Sequence, residues 1–380
     1  MRSFFFGACV VLAAHFANAA STQGDRAQEP IAEGAMREGT LIVYGSTSER
    51  FARYLVDEFK ALHPAISVKY VSLPVGELDV RLRRDAESPD GPDVVWSSAM
   101  DLQMNAALDG LAQSYRSPEA ASLPAWAKWR DQLYATTYEP VVLVYNRQFV
   151  QADEVPTTHA ALREILSTHA DKYRGKVSTY DLDNVEVGAL PFRVDAARDA
   201  RFWELLRVMR AESVDEQSSS ATILDRISAG QSLIAYNIAG AEAIRRARRD
   251  PLVGVQFTLD YNLVLSRVMF IAKHAPHPDA ARLWVDFILS KRGQQQMQLA
   301  DLYPIREDVS GVDAGIVLLR RTAKVAKPIA LDATLVNLCA PESMQSFKER
   351  WHNTRGEAAA GSGTGGGRTS GRRLQYTASP

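Results

Sequence analysis

Residues 133–145 read Leu-Tyr-Ala-Thr-Thr-Tyr-Glu-Pro-Val-Val-Leu-Val-Tyr. In the first half Tyr134, Thr136 and Tyr138 alternate with Ala135, Thr137 and Glu139, the period-two pattern of a strand with two different faces. The second half, Val141 to Val144, is an unbroken apolar run, mostly β-branched, as in a strand buried on both faces. Pro140 between them removes a backbone donor, so ladder pairing is expected to lapse there. A strand that changes character at a proline predicts a segment leaving one sheet for another. That makes it a crossing between two lobes, with Tyr138 and Glu139 at the crevice.

The return crossing is predicted at Leu263 to Ala272, where the polar pair Ser266-Arg267 interrupts another apolar run. Upstream, strand and helix alternate. Thr40 to Tyr44 precedes an amphipathic helix carrying Phe51, Leu55, Phe59 and Leu62, with Ser46 and Glu49 at capping-box spacing. Ile66 to Leu73 precedes a helix over Gly76 to Glu87, and Pro92 to Trp96 a helix through Met104 to Leu108. Between the crossings come helices over 155–170, Phe202 to Ala211, Ile223 to Ala229 and Ala241 to Arg249. Strands are expected at Gly175 to Tyr180 and Ser232 to Tyr236. Helices over Asp279 to Leu289 and Arg292 to Ala300 follow the return. Alternation of this kind calls for α/β architecture with parallel sheets.

A chain of 380 residues predicts two core-forming units, since single cores rarely grow beyond ~250–300 residues. Hydrophobic content of 46% and charged content of 23% are ordinary for a globular protein. A formal net charge of -1 supplies no reason to expect nucleic acid or an anionic membrane as partner. The N-terminus has the form of a cleaved export signal over residues 1–20: Arg2, an apolar stretch from Phe4 to Ala14, then Ala17-Asn-Ala19. Residues 21–38 read as a flexible leader, and 352–380 as a disordered Gly/Ser/Arg tail. Without the signal only Cys339 remains, so a large core rather than a disulfide framework is expected to hold the exported chain. Cys339 reads as a buried apolar side chain.

Small hydroxyl residues stand at successive strand ends: Ser46 and Thr47, Ser97 and Ser98, and Thr179 beside Tyr180 and Asp181. Ligands of open α/β sheets bind beyond the carboxyl ends of strands, where helix N-termini favour an anion. Tyr138, Tyr180, Tyr236 and Arg267 fall at ends of, or breaks in, predicted strands. Arg267 is suited either to clamp an anion or to pair with Glu139 or Asp181. The basic run Arg245 to Arg249 closes a helix and reads as a solvated face or a docking surface. No histidine or cysteine spacing suits a zinc site. Nucleophile elbow, phosphate loop and dinucleotide fingerprint are all missing from the sequence, so neither a cofactor nor catalysis is expected.

The order of motifs resembles the periplasmic substrate-binding proteins of ABC transporters, in the group that includes ferric-ion, phosphonate and phosphosugar binders. The residues that carry it are Leu41-Ile-Val-Tyr-Gly45, Asp93-Val-Val-Trp-Ser-Ser98, Tyr138-Glu-Pro140 with Val144-Tyr-Asn146, and Ile234-Ala-Tyr-Asn237. Ser290-Lys-Arg-Gly-Gln294 and Leu302-Tyr-Pro-Ile-Arg306 close the series. The resemblance implies a type II periplasmic binding protein fold: two α/β lobes, joined by two crossing hinge strands. Lobe 1 is then expected over residues 39–139 and 267–351, lobe 2 over 140–266. It implies a ligand set of Ser46, Thr47, Ser97, Ser98, Tyr138, Glu139, Thr179, Tyr180, Asp181, Tyr236, Asn237 and Arg267. Iron-binding members use paired, often adjacent tyrosines. Here the matching segment is Tyr236-Asn237, so an iron site would have to combine Tyr236 with Tyr180.

The expected function is capture of a small anionic solute, such as a phosphonate or phosphorylated metabolite, by a periplasmic monomer serving an ABC permease of the inner membrane. The alternatives are a ferric-ion-binding protein, or a subunit that presents ligand to a membrane histidine kinase. A hydrolase on the same fold would need Glu139 or Asp181 as its working carboxylate.

Overall fold

The computed structural model describes residues 29–183, 189–321 and 324–362. The expected signal and most of the leader lie outside the described residues, as does the tail beyond 362. Among the described residues thirteen strands form two sheets. In chain order they are β1 (Thr40–Gly45), β2 (Ser67–Ser72), β3 (Val94–Ser97), β4 (Lys128–Trp129), β5 (Leu133–Ala135), β6 (Glu139–Asn146) and β7 (Val177–Tyr180). There follow β8 (Asp215–Gln217), β9 (Ile234–Ala239), β10 (Val253–Gln256), β11 (Asn262–Leu265), β12 (Val268–Ile271) and β13 (Ala326–Pro328).

The first sheet runs β2-β1-β3-β12-β5-β4 and the second β13-β11-β6-β9-β7-β8, with β10 on β6. β1, β2 and β3 are parallel; β12 runs against them, and β5, antiparallel to β12, runs with them again. Each sheet carries its own core. One gathers Leu41, Val43, Leu55, Phe59, Val95 and Trp284, the other Val144, Leu162, Phe192, Leu206, Ile223 and Tyr236. The molecule is two-lobed, and the chain crosses between sheets at β5–β6 and again at β11–β12.

Ladder pairing lapses over Thr136 to Tyr138, ahead of the expected position at Pro140. Side chains and single backbone bonds share the backbone groups there; Thr136 N also donates to the Arg267 carbonyl at 2.8 Å. The N–H groups of Thr136 and Thr137 both donate to Ser266 Oγ at 3.1 Å, and Arg267 N donates to Thr137 Oγ1 at 2.8 Å. Tyr138 N donates to the Tyr303 carbonyl at 2.8 Å. Pro140 itself lies inside β6, opposite Val264, near the strand's start, where one missing donor costs little.

Two closing motifs brace this crossing. Gln294 is fully buried; its Nε2 donates to the Thr136 carbonyl at 3.0 Å and its Oε1 accepts from Ile305 N at 2.7 Å. Gly293 lies so close to the preceding helix that a Cβ would stand 2.0 Å from the Phe287 carbonyl oxygen.

Several boundaries differ from expectation. Residues 29–38 form a helix rather than a loose leader. Ala35 is buried in the first core, and Glu38 accepts from the N–H groups of Asp279 and Ala280, opening the Pro278–Leu289 helix. The segment expected in lobe 1 up to 351 is shared: β13 joins the second sheet, the Ala333–Cys339 helix packs on the Met100–Leu108 helix, and the Pro341–Ser362 helix packs on Phe202–Ala211. That last helix extends eleven residues into the stretch expected to be a disordered tail. Trp351 buries in the second core and Phe347 packs against it, contacts that local polarity does not register.

Candidate ligand-binding crevice

The carboxyl ends of β1 and β3 lie side by side. Ser98 N donates to Ser46 Oγ at 3.0 Å, and the two hydroxyl oxygens are 3.4 Å apart. Ser46 therefore joins two strand ends instead of capping a helix; the Glu49–Leu62 helix begins after Ser48, whose side chain makes no capping bond. The Met100–Leu108 helix likewise follows Ala99 with no side-chain cap. Ser97 Oγ accepts from Ala99 N at 3.2 Å. Two helix N-termini, neither capped by the residue before it, thus converge at one edge of the first sheet.

Arg267, on the return crossing, reaches the same edge. Its Nη1 donates to Thr47 Oγ1 at 3.1 Å, and its Nε stands 3.0 Å from Glu139 Oε1. That Nε–H makes no hydrogen bond, but Nη2 donates to Glu139 Oε2 at 3.5 Å, so the contact is an ion pair with one long hydrogen bond. Thr137 Oγ1 donates to the same carboxylate oxygen at 2.7 Å. Glu139 is accordingly answered from within the chain. Tyr70, whose hydroxyl donates to the Thr47 carbonyl at 2.7 Å, completes the wall. Its phenol is pushed well up, first by burial and against the pull of Arg267.

The second lobe presents the ends of β7 and β9. Tyr180 Oη and Ser220 Oγ share a hydrogen bond of 2.6 Å, and Ala239 N reaches the same phenol at 3.5 Å. Thr179 is fully buried and donates to the Tyr236 carbonyl. Asp181 is half-buried and accepts from Asp183 N.

Tyr236 and Asn237 face elsewhere. They form a β-bulge, two residues set against Leu143 alone, so both side chains project to one side. Asn237 takes φ +61° to do so. Tyr236 Oη and Asn237 Nδ2 both donate to Asp195 Oδ2, at 2.7 and 2.8 Å, while Tyr261 Oη donates to Oδ1 at 2.9 Å. Asp195 is wholly buried, and burial pushes its carboxyl up against the charge of His159. Burial also raises the Tyr180 and Tyr236 phenols.

Tyr138 likewise turns from Glu139. It packs on Trp126 and under the Arg320 guanidinium, 4.7 Å from the ring centroid. The structure therefore brings together Ser46, Thr47, Ser97, Ser98, Glu139 and Arg267 from the expected set. Tyr138, Tyr236 and Asn237 are committed to other surroundings. Among the described residues no group of three or more His, Cys, Asp or Glu side chains could hold a metal ion, and no helix is long and apolar enough to cross a membrane.

Four residues of the two lobes were not singled out in the sequence: Thr137 and Asp195, placed above, and Arg193 and Asp101, which pair with each other. Thr137 was legible, because alternation puts it on the face of Glu139. Asp101 had the signal of an acidic residue in a first helical turn. Arg193 and Asp195 had none, since the pattern does not announce their helix, Ala189–Arg198.

Residues 90–318 match the family described as bacterial extracellular solute-binding protein. Among solved structures, the substrate-binding protein of an ABC transporter from Agrobacterium tumefaciens is 31% identical, with 83% of this chain and 94% of that one covered and a TM-score of 0.75. This chain belongs to the extracellular solute-binding protein family of ABC transporters. Such proteins bind small solutes and deliver them to a permease.

More distant structures share the fold of this solute-binding protein. AfuA from Actinobacillus pleuropneumoniae, described with fructose 6-phosphate bound, is 14% identical over 84% of this chain and 99% of that one, with a TM-score of 0.64. Iron-bound HitA from Pseudomonas aeruginosa is 16% identical over 83% and 99%, also with a TM-score of 0.64. No curated protein matches the chain.

Proposed function

We propose that this solute-binding protein captures a small organic anion, such as a phosphonate or a phosphorylated metabolite, between its lobes in the periplasm and hands it to an inner-membrane ABC permease. One observation carries the reading. The N-termini of the Glu49–Leu62 and Met100–Leu108 helices, tied through Ser46 and Ser98, converge beside the Arg267 guanidinium. The start of the Glu49–Leu62 helix, the hydroxyls and a forked cation together suit phosphate or phosphonate oxygens; at the Met100–Leu108 helix, N–H groups of Ser98, Ala99, Met100 and Leu102 already have partners within the chain. Glu139 holds Arg267 in place, so no amine on the ligand is needed to answer its charge. A ferric site fits poorly: the Tyr236 and Tyr180 hydroxyls bond to Asp195 and Ser220, and burial keeps both phenols protonated at neutral pH.

A thermal-shift panel of fructose 6-phosphate, 2-aminoethylphosphonate, citrate and ferric citrate tests this. A bound ligand at ~100 times its dissociation constant stabilises by ~2.7 kcal/mol, so at least one phosphorus compound is expected to raise the melting temperature. Arg267→Lys, which keeps the charge and loses the fork, should weaken that binding about tenfold or more. A shift with ferric citrate alone, accompanied by a visible tyrosinate-to-iron band, would sink the organic-anion reading.

A further inference from the structure

The Ala189–Arg198 helix is shared by the two lobes. Leu190 is buried in the first core and Phe192 in the second. Between them Arg193 reaches across. Its Nη2 donates to Asp101 Oδ2, in the first turn of the Met100–Leu108 helix, and its Nη1 donates to the Leu338 carbonyl at 2.7 Å. Asp101 also accepts from Leu102 N at 3.1 Å, so the chain's own carboxylate occupies part of that helix N-terminus.

Both charged side chains are nearly withdrawn from solvent, 5% exposed for Arg193 and 10% for Asp101. Of the other ion pairs that join the lobes, Arg267 with Glu139 sits at the crossing strands themselves, whereas Arg248 with Asp301 is 45% and 32% exposed, and solvent screens a pair of the latter kind. A third contact, the Arg245 guanidinium 4.7 Å from the Phe51 ring centroid, is a cation–π contact rather than an ion pair. Arg193 and Asp101 also line a cavity of about 450 Å³ whose remaining walls include Leu182, Ala189, Phe347 and Trp351. Opening the crevice on this side must separate the pair, leaving two charges to find new partners, or draw Leu190 out of the first core. Separation of a buried pair is unfavourable in a way that separation of a solvated pair is not.

We propose that Arg193 is a positioning residue for ligand capture: its ion pair with Asp101 latches the two lobes together and sets how much of the ligand-free protein is closed. Its effect on affinity rests on the binding reading above; its effect on lobe closure does not. Apparent affinity scales with the fraction of molecules already in the binding-competent state. The latch therefore strengthens capture of every ligand by a common factor while touching none of them.

The test compares wild type, Arg193→Gln and the double variant Asp101→Asn/Arg193→Gln, all as full chains. The double variant removes both charges and leaves no buried ion unpaired, which keeps the question answerable where the single variant unfolds. Small-angle X-ray scattering without ligand should give a larger radius of gyration for the double variant than for wild type. Titration with fructose 6-phosphate and 2-aminoethylphosphonate should show both affinities reduced by one shared factor, about tenfold. An unchanged radius of gyration in the double variant overturns the latch, whatever binds. A changed ratio of the two affinities overturns the positioning role, since it would mean that Arg193 touches ligand. Absence of binding by wild type would count against the proposed ligands alone and leave the scattering result to decide the latch.

Discussion

At the scale of single residues, Asn237 shows how one side chain can serve a backbone and a network together. Its φ of +61° is a conformation that asparagine tolerates better than most residues. Its amide donates to the buried Asp195 carboxylate, which also takes the Tyr236 and Tyr261 hydroxyls. Asn237→Ala loses both the tolerance and a hydrogen bond to a charged group, an expected cost of about 2–4 kcal/mol. Asn237→Gly keeps the conformation and loses only the bond, so it should cost about 1 kcal/mol less. Urea denaturation of the two variants checks the difference, and equal losses would show that the backbone conformation contributes nothing. Where the resemblance would have an iron-binding member carry a second tyrosine after Tyr236, this chain has an amide whose partner is a carboxylate.

Among the elements, the Pro341–Ser362 helix departs most from expectation. Its sequence is polar enough to read as tail from 352 onward, yet Trp351 is 1% exposed. The indole lies 4.1 Å beneath the Arg210 guanidinium and meets Phe192 edge to face at 5.9 Å. Arg210 also donates to the Trp351 carbonyl and to Thr354 Oγ1, fixing the helix where its apolar residues run out. Trp351→Ala should cost about 3–5 kcal/mol, as expected of a large buried aromatic. Chemical denaturation measures it; a loss below about 1 kcal/mol would mean that the helix is not docked.

For the whole molecule, buried phenols couple stability to alkaline pH. Burial pushes Tyr134, Tyr138 and Tyr173 up to about 12, whereas an unfolded tyrosine ionises near ~10. The folded state therefore keeps its protons where the unfolded state loses them. Stability from these groups is fully present below pH ~10 and is lost as pH rises from there toward about 12. Denaturant midpoints should be flat in this respect up to pH ~10 and fall above it. Tyrosinate absorbance of the buried phenols should rise together with unfolding. A midpoint that holds constant to pH ~12 would show that these phenols ionise freely in the folded chain.

Local pattern determined the strand-and-helix alternation, both crossings and the hydroxyl residues at strand ends, because period-two and period-3.6 burial is written into neighbouring residues. It offered Arg267 either an anion or a partner in Glu139 or Asp181, and the structure takes Glu139. Tertiary structure alone decided which way those side chains turn. The bulge at Tyr236-Asn237 aims both inward to Asp195, and a one-residue insertion has no local signature. Tyr138 and Glu139 point apart, as alternation requires of neighbours, but only the packing decided that the face of Tyr138 meets Trp126 and Arg320 rather than the crevice. Arg193 and Asp101 lie 92 positions apart, and only the approach of two separately folded cores makes them partners.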